Sequence, residues 1–380
     1  MTVMAGSIIA PVLNSMRVAL GVAPSSVGLI ITTHGLFMAL LSPLMGIIID
    51  RKGTKWPYVI GLICYGLAGG AGLLINSYWV LLASRAFLGI GLAAIFTAIT
   101  VWILNTYEGT ERDKVMGWRG SAQSLGGVAW PLVGGALGEL SWHLPFAVYL
   151  LAIPIGLIAI VALPEPKTDR ERGPRTDPGV SVLGIIRESP VLFIIYGLMF
   201  STNLLLYVVV VFLPQLLETI GISSTFQIGL FLTVQALAGG ITALSYGAIR
   251  SHLSYRVIVT IAAVLWSVAL ASISLGTNSL MIIASVCLFG VGNGLMMPSV
   301  MAWLGSVVPP SFRGRFGSYL GTLGFMGQFL SPILFAPVLV HLGLKGVFLV
   351  GAGIGAAWFL LLLFGMGRLG SGADRVGAQQ

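Results

Sequence analysis

Long apolar runs alternate with short polar loops along the whole chain. An α-helix rises 1.5 Å per residue, so roughly 20 apolar residues cross the hydrocarbon core of a bilayer. The runs are continuous and too long for the alternating strands of a membrane β-barrel. The pattern therefore predicts an all-α integral membrane protein. Its twelve predicted transmembrane helices lie near residues 1–20, 27–49, 57–76, 79–103, 117–138, 144–163, 190–214, 226–248, 257–276, 280–304, 316–340 and 345–366.

One polar segment, residues 164–189, is much longer than the other loops and is rich in charge and proline. This composition is typical of a linker, and it divides the spans into two sets of six. We expect an N-terminal six-helix bundle over 1–163 and a C-terminal six-helix bundle over 190–366. The linker itself is 164–189, and a short tail follows over 367–380.

Composition agrees with the pattern of spans. Of the 380 residues, 57% are hydrophobic and only 8% are charged, whereas soluble domains are about 25% charged. The net charge of +8 does not indicate nucleic-acid binding, because the basic residues lie in loops between apolar runs. Most of them fall on one side, including Lys167, Arg170, Arg172 and Arg175 in the linker and Arg368 and Arg375 in the tail. The positive-inside rule then places both termini in the cytoplasm, in a multi-pass protein of the inner (plasma) membrane.

The two halves resemble each other at an offset of about 201 residues. Gly28 matches Gly229, and the spacing from Arg112 to Pro131 recurs in the second half from Arg313 to Pro332. Two parallel six-helix halves imply a pseudo-two-fold axis along the membrane normal. Such an arrangement places a substrate site near the midplane between the halves and works by rocking one half against the other.

The repeat also makes a prediction about the first span. Span 7 begins near Pro190, so the offset places the start of span 1 about eleven residues ahead of Met1. The uninterrupted apolar part of span 1, residues 3–13, covers only about half of a bilayer. Either a further apolar segment completes the span, or local thinning of the bilayer accommodates a short one.

The end of span 2 reads Gly-Ile-Ile-Ile-Asp-Arg-Lys-Gly-Thr-Lys from Gly46 to Lys55. This segment resembles the loop 2–3 signature of the major facilitator superfamily, with Thr54 at a position that is usually basic. The resemblance implies that the motif braces the two halves in the outward-open state. The residues concerned are Gly46, Asp50, Arg51, Gly53, Lys55 and Arg112. The corresponding segment near Arg250 lacks the aspartate, so the brace should be one-sided.

Two further motifs support the resemblance. Span 4 contains Arg-x-x-x-Gly-x-Gly-x-Ala-Ala from Arg85, which is similar to a pattern of that superfamily. Span 5 resembles the Gly-x-x-x-Gly-Pro-x-x-Gly-Gly signature of its antiporter members, with Trp130 in place of the glycine before the proline. The resemblance implies two pseudo-symmetric bundles and close helix packing at the motif. Its packing residues here are Gly89, Gly91, Gly126, Pro131, Gly134 and Gly135.

Two ionisable side chains lie within predicted spans, where charge is costly unless a partner or a wet cavity receives it. Arg85 either binds backbone carbonyls or, as the resemblance implies, faces the cavity and takes part in proton or substrate coupling. His34 is either a buried neutral side chain or a protonatable coupling residue, because histidine titrates near neutral pH.

The remaining polar side chains within the spans are few. They either line the substrate cavity or join helices, a contact that stabilises by about 0.6 kcal/mol on average. None of the 12 acidic residues lies near the middle of a span, which disfavours cationic substrates and favours neutral, lipophilic or anionic ones. The cavity candidates are Asn14, Gln123, Asn203, Tyr207, Gln235, Asn293 and Gln328.

These features predict a monomeric secondary transporter rather than an enzyme, with no cofactor, no metal and no nucleotide-binding loop. The favoured function is proton-coupled export of a small lipophilic or neutral compound by alternating access, as an antiporter. One alternative is uptake or exchange of a small organic anion, with Arg85 and Arg119 as counter-charges. Another is a transport-inactive membrane sensor on the same fold.

Overall fold

The computed structural model describes residues 1–163, 182–309 and 312–365. Most of the predicted linker 164–189 and the tail 367–380 therefore lie outside the described residues. The same is true of Lys167, Arg170, Arg172, Arg175, Arg368 and Arg375, which contributed to the predicted orientation. We call the helices within residues 1–163 the N-terminal half and those within residues 191–365 the C-terminal half.

The helices of the N-terminal half follow the predicted spans. The first, α1, is Met4–Leu20, and it is broken into Met4–Ser7, a 3-10 turn Ala10–Val12 and Leu13–Leu20. The others are α2 Leu29–Lys52, α3 Lys55–Leu73, α4 Tyr78–Thr106, α5 Gly109–Leu140 and α6 Leu144–Ala162.

The C-terminal half is more regular. A short helix, Val182–Glu188, precedes it, and another, Tyr246–Arg250, follows α8. Gly343 interrupts the long segment Arg313–Leu360 with φ 67, so we call the part before it α11 and the part after it α12. The remaining helices are α7 Val191–Thr219, α8 Thr225–Leu244, α9 Tyr255–Leu275 and α10 Ser279–Val307.

These helices account for all twelve predicted spans. In the described part of the chain, nine helical segments are long and apolar enough to cross a membrane, and one of them, Arg313–Phe364, contains both α11 and α12. The other two spans are α1, which is short, and α5, whose first turns are highly charged. The structure thus confirms an all-α membrane fold.

The internal repeat is visible in the packing. A methyl group at Gly89 would lie 2.6 Å from the carbonyl oxygen of His34, and one at Gly290 would clash with the carbonyl oxygen of Gln235. Gly91 approaches the backbone of Tyr65, and its counterpart Gly292 approaches the side chain of the matching Trp266. Each pair is related by the offset inferred from the sequence, so the two halves share one scaffold of close glycine contacts.

The halves meet through two symmetry-related contacts, α2 with α11 and α5 with α8. Gly28 approaches Pro332, where an added methyl would lie 3.0 Å from its Cβ, and Gly229 approaches the carbonyl oxygen of Pro131 at 2.5 Å. These contacts lie towards the end of the molecule at which α1 ends with Leu20, which we call the closed end. The opposite end, where α2 ends with Arg51 and Lys52, is called the basic end.

The halves diverge towards the basic end. Methyl groups at Gly120, Gly314 or Gly321 would meet no other atom within 4 Å. Trp118 and Leu125 of α5 are 71% and 69% exposed. Contact at one end and separation at the other describe one extreme of a rocking motion between two rigid halves.

Candidate functional site

A single side-chain hydrogen bond joins α2 to α11 in the interior. Gln328 Nε2 donates to His34 Nε2 at 3.0 Å. His34 is 3% exposed and Gln328 is 4% exposed. The bond therefore connects the two halves in a region that water does not reach in this state.

The hydroxyl of Tyr207 lies close to this hydrogen bond, because glycines at two positions leave room for it. A methyl at Gly6 would lie 3.4 Å from the Tyr207 hydroxyl and 3.6 Å from His34 Cε1, and one at Gly35 would lie 2.9 Å from Gln328 Cδ. The absence of side chains at these two positions lets α1, α2, α7 and α11 converge. We call His34, Tyr207 and Gln328 the interface cluster.

The geometry of the cluster defines a proton-dependent contact. With Gln328 as the donor, His34 Nε2 accepts and the ring proton sits on Nδ1, which has no partner among the described residues. A doubly protonated ring donates from both nitrogens, so it needs an acceptor opposite Nε2. Rotation of the Gln328 amide by half a turn supplies its carbonyl oxygen. Protonation of His34 is thereby tied to the orientation of a side chain in the other half.

Arg85 binds backbone carbonyls, which is the first of the two alternatives predicted for it. Its Nη2 donates to the carbonyl oxygens of Ala68 and Gly69 at 3.1 and 3.0 Å, and the residue is fully buried. These carbonyls lie at the end of α3, where a helix presents unpaired acceptors and favours a cation. The guanidinium also lies 5.1 and 5.3 Å from the ring centroids of Phe146 and Tyr149. Arg85 thus joins α3, α4 and α6 and does not face the gap between the halves.

Tyr149 connects this cationic site to the interface cluster. Its hydroxyl donates to the carbonyl oxygen of Ala5 at 2.8 Å, and Ala5 precedes the Gly6 that adjoins His34 and Tyr207. The position of α1 therefore depends on the aromatic residues that surround Arg85. This link was not predicted from the sequence, because Tyr149 is far from α1 along the chain.

Several of the predicted cavity residues make other contacts. Asn14 donates to the Pro214 carbonyl at 2.7 Å and so joins the halves near the closed end. Asn203 donates to Met199 of its own helix, and Asn293 accepts from Trp266 within the C-terminal half. Gln235 is buried in α8. Asn293 thus joins two helices, whereas the hydrogen bond of Asn203 lies within one helix, and the cavity-lining role of both stays a prediction.

The aspartate and the arginines of the loop 2–3 signature lack ion pairs in the part of the chain that the structure describes. Within the described residues, Asp50, Arg51 and Arg112 form no ion pair, and Asp50 and Arg51 are exposed. Gly46 was expected to allow close packing, but a methyl group there would meet no atom within 4 Å. Gly53 ends α2 with φ 82, a conformation that favours glycine. The signature lies at the end where the halves have separated, which explains the missing contacts.

The span 5 motif forms close contacts at the closed end. A methyl at Gly135 would lie 2.6 Å from the carbonyl oxygen of Thr225 in α8, and one at Gly134 would clash with Ile8 of α1. Gly126 differs, because a methyl there would meet only the side chain of Trp130, one turn further along the same helix. The packing predicted for Gly134 and Gly135 is present, whereas Gly126 has no partner helix in the described part of the chain.

Polar contacts that were not predicted seal the closed end. Arg17 Nη2 lies 3.5 Å from Glu218 Oε2. Glu139 Oε1 accepts from Ser224 Oγ at 2.6 Å and from the Phe226 amide at 3.0 Å. Each contact joins one half to the other. The repeat offers a signal for the first of them, because Arg17 and Glu218 are matching positions.

A cavity of about 500 Å³ lies at the basic end of the N-terminal half. Arg119 lines it, donates to Thr100 Oγ1 at 2.8 Å, and stacks its guanidinium 4.7 Å from the ring centroid of Phe96. Phe96 in turn meets Phe325 of α11 edge-on, with centroids 6.3 Å apart. Gln123, a predicted cavity residue, also lines this space and donates to Thr2 Oγ1 at 3.1 Å.

Two six-helix halves that meet at one end and carry a polar cluster between them are the architecture of an alternating-access membrane carrier. The chain belongs to the Major Facilitator Superfamily, whose family pattern matches residues 1–227 and 198–376. The family is one of transporters and not of enzymes. The resemblance found in the sequence is confirmed.

Similar proteins with known names include a resistance protein and an efflux protein. The chain is 30% identical over 184 residues to the class B tetracycline resistance protein of Escherichia coli, covering 47% of this chain and 45% of that protein. It is 31% identical over 150 residues to the multidrug efflux protein YfmO of Bacillus subtilis, covering 40% and 38%. The matched regions span less than half of these relatives.

Solved structures match over nearly the whole chain at low identity. The nucleoside transporter NupG gives a TM-score of 0.77 at 14% identity, covering 95% of both chains. The D-xylose–proton symporter gives 0.78 at 13% identity, covering 95% of this chain and 94% of that one. At such identities the likeness supports the fold alone.

Proposed function

We propose that the protein exports a small lipophilic or neutral compound in exchange for protons. The observation that carries the proposal is the buried hydrogen bond between His34 and Gln328, which joins the two halves and changes its donor when the imidazole is protonated. By the positive-inside rule, the basic end faces the cytoplasm and the closed end faces outward. The structure then corresponds to the inward-facing state of a monomeric inner-membrane carrier.

Alternating access follows from the position of this bond. Opening the closed end requires α2 to leave α11, which breaks the contact and exposes His34 to outside water. The imidazole takes up a proton there. On return, protonated His34 donates to the Gln328 carbonyl oxygen, and the proton leaves toward the cytoplasm while the basic end is opening, before the ring reaches the buried position of this structure.

The substrate class is supported by the relatives and by the absence of acidic side chains near the middle of the described spans. The similar proteins named above are a tetracycline resistance protein and a multidrug efflux protein. In the described spans the carboxylates Glu139 and Glu218 lie at the closed end, outside the membrane interior. A cationic compound would find no buried carboxylate to pair with, so a neutral lipophilic compound fits better.

The test is transport in proteoliposomes with an imposed pH gradient and a panel of lipophilic dyes. We expect His34→Gln to abolish accumulation driven by the gradient while leaving substrate counterflow, because glutamine keeps a polar contact but does not titrate. His252→Gln is the matched control, since His252 is exposed and bonds within its own short turn. Gradient-driven accumulation that survives in His34→Gln would refute the coupling role.

A second candidate, uptake or exchange of a small organic anion, is favoured by Arg119. This cation lines the cavity at the basic end and stacks on Phe96, which contacts the other half. Organic anions should be screened beside the dyes, with Arg119→Gln as the deciding variant. Anion transport that disappears in Arg119→Gln and persists in His34→Gln would replace export of a neutral compound as the function.

A further inference from the structure

The hydrogen bond between His34 and Gln328 is buried, although the halves are separated at the basic end. His34 is 3% exposed and Gln328 is 4% exposed. Met38, one turn from His34 toward the basic end of α2, is buried as well. Water that enters the gap between the halves therefore stops short of this bond, and side chains between the gap and the bond exclude it.

Two aromatic rings meet between the halves on the basic side of this bond. The ring centroids of Phe96 in α4 and Phe325 in α11 are 6.3 Å apart, and the ring planes lie at 89°. Phe325 precedes Gln328 by three residues, so it lies on the same face of α11, about one turn nearer the basic end. Both rings are half-buried, whereas Gln328 is buried. Phe96 and Phe325, which we call the ring pair, thus stand where the buried region meets the gap.

The course of α4 places Phe96 on the basic side of His34. A methyl at Gly89 would lie 2.6 Å from the carbonyl oxygen of His34, so α4 contacts α2 at this level. Phe96 follows seven residues later, and because α4 runs toward the basic end, its Cα lies about 10 Å beyond that contact. A helical side chain leans toward the N-terminus of its helix. The ring of Phe96 is therefore tilted back toward His34.

Arg119 and Thr100 hold Phe96 in this position. The guanidinium of Arg119 lies 4.7 Å from the ring centroid of Phe96, and its Nη1 donates to Thr100 Oγ1 at 2.8 Å. The Thr100 hydroxyl in turn donates to the Phe96 carbonyl at 2.6 Å. One cation therefore binds the ring and, through Thr100, the backbone of Phe96. A positive charge beside a narrow passage also opposes the entry of a hydrated proton.

The matching positions on the other side of the interface carry no rings. At the repeat offset Phe96 corresponds to Met297 of α10, and Phe325 corresponds to Ser124 of α5. The side chain of Ser124 is exposed. Of these four positions, the two aromatic ones lie on the side of the interface that carries the titratable residue His34.

We propose that Phe96 and Phe325 form an inner gate that separates His34 from the water at the basic end. This inference rests on the proposed proton exchange, in which His34 must not reach both sides of the membrane at once. An apolar constriction stops water by leaving it no hydrogen-bonding partners. One ring belongs to each half, so the gate opens and closes as the halves rock. It is closed in this structure, so the deprotonated imidazole does not take a proton back from the cytoplasm.

The first test measures access to position 34 and does not depend on coupling. His34→Cys is introduced after the two native cysteines have been changed to serine, and a membrane-impermeant thiol reagent is added from the basic end. We expect Phe325→Ala and Phe96→Ala each to speed labelling at least about tenfold. Phe87→Ala, on the same helix α4 but 59% exposed, is the control and should leave the rate unchanged.

A conservative variant separates the gate from a general loosening of the fold. Phe325→Leu keeps an apolar side chain of similar volume, so labelling of His34→Cys should return close to its original slow rate. Equal rates in Phe325→Ala, Phe96→Ala and Phe87→Ala would overturn the proposal. Labelling as fast in Phe325→Leu as in Phe325→Ala would also overturn it, because filling the constriction would then have no effect.

A second readout is proton entry into proteoliposomes in the absence of substrate, followed with an entrapped pH dye. We expect Phe325→Ala to raise this leak, because His34 can then take up a proton in the inward-facing state and carry it across alone. Adding His34→Gln should return the leak to its original level, and a leak that His34→Gln does not reduce would overturn the guarding of His34. Faster labelling without any leak would support the gate and contradict coupling through His34, so the two proposals fail separately.

Discussion

At matching positions within the spans, the N-terminal half carries Arg85 and the C-terminal half carries Val286. His34 likewise stands where the C-terminal half has Gln235. The close contacts of Gly89 and Gly290 with the neighbouring helix are nevertheless equivalent in the two halves. The comparison shows that the repeat preserves the scaffold, while the charged and titratable side chains are concentrated in the N-terminal half.

The interface between the halves is also asymmetric, because the polar side chains at matching positions differ. On one side, α2 and α11 are joined by the hydrogen bond of His34 with Gln328. On the other side, Gln235 has no such partner, because Gly127 stands at the position that matches Gln328. The contact between α8 and α5 is held instead by Thr233, whose hydroxyl donates to the Val128 carbonyl at 3.0 Å, so this hydrogen bond contains no titratable side chain.

The largest effect is expected at Arg85. In Arg85→Ala the carbonyls of Ala68 and Gly69 lose their donor in a buried site, and each unsatisfied group costs about 1–3 kcal/mol. Val286→Ala, at the matching position, should cost about 1 kcal/mol. Tm in detergent measures both. Arg85→Lys should not restore the protein, since lysine lacks the planar group that bridges two carbonyls between Phe146 and Tyr149. Equal Tm values for Arg85→Ala and Val286→Ala would contradict the structural role.

Smaller and matching effects are expected from Gly28→Ala and Gly229→Ala. The added methyl would press on Val211 and Pro332 in the first case and on the Pro131 carbonyl in the second. Overpacking of this kind typically costs about 1–3 kcal/mol. Here it destabilises only the state in which the halves touch at the closed end. Both variants should raise cysteine labelling at that end. An increase in only one of them would show that the two contacts are not equivalent.

A glutamine at position 127 should make the two contacts between the halves more alike and should slow transport. A Cβ at Gly127 would have room, with Ala236 at 3.6 Å and Val3 at 3.9 Å. Gly127→Gln places an amide opposite Gln235, as Gln328 lies opposite His34. A new buried hydrogen bond stabilises by about 1 kcal/mol, so transport should slow while Tm rises slightly. Gly127→Leu, which adds volume without an amide, is the control, and it should not reproduce the rise in Tm.

The smallest effect on folding is expected at Asp50. Its side chain is exposed and unpaired among the described residues, so Asp50→Asn should change stability by no more than about 0.5 kcal/mol. Transport should nevertheless fall sharply if the loop 2–3 signature braces the opposite state. Ser251→Ala, at the matching position of the C-terminal half, should leave both quantities unchanged. Normal transport by Asp50→Asn at normal expression would exclude the brace.

The sequence was a good guide to everything that depends on local pattern. Hydropathy located the twelve spans, and the offset of about 201 residues placed Gly89 and Gly290 in equivalent contacts. Both signals are local or periodic, so they do not depend on how the two halves are arranged. This is why the fold was predictable and the spans needed little correction.

The chemistry between the halves was predicted only in part. His34 and Gln328 were both recognised as candidates, but their pairing depends on how α2 meets α11 in one particular state. The partners of Arg85 are backbone carbonyls, which leave no trace in the side-chain sequence. A residue pattern does not encode hydrogen bonds to backbone atoms. It also does not encode contacts that exist in only one conformation.

The ion pair of Arg17 with Glu218 lies between two matching positions, so it sits on the pseudo-two-fold axis itself. In an assembly of two identical six-helix subunits, the residue on the axis meets its own copy, and a charge there repels itself. Opposite charges at this position require that the two copies be encoded separately. The attraction between Arg17 and Glu218 is therefore available only to a carrier whose two halves differ in sequence at the position nearest the axis.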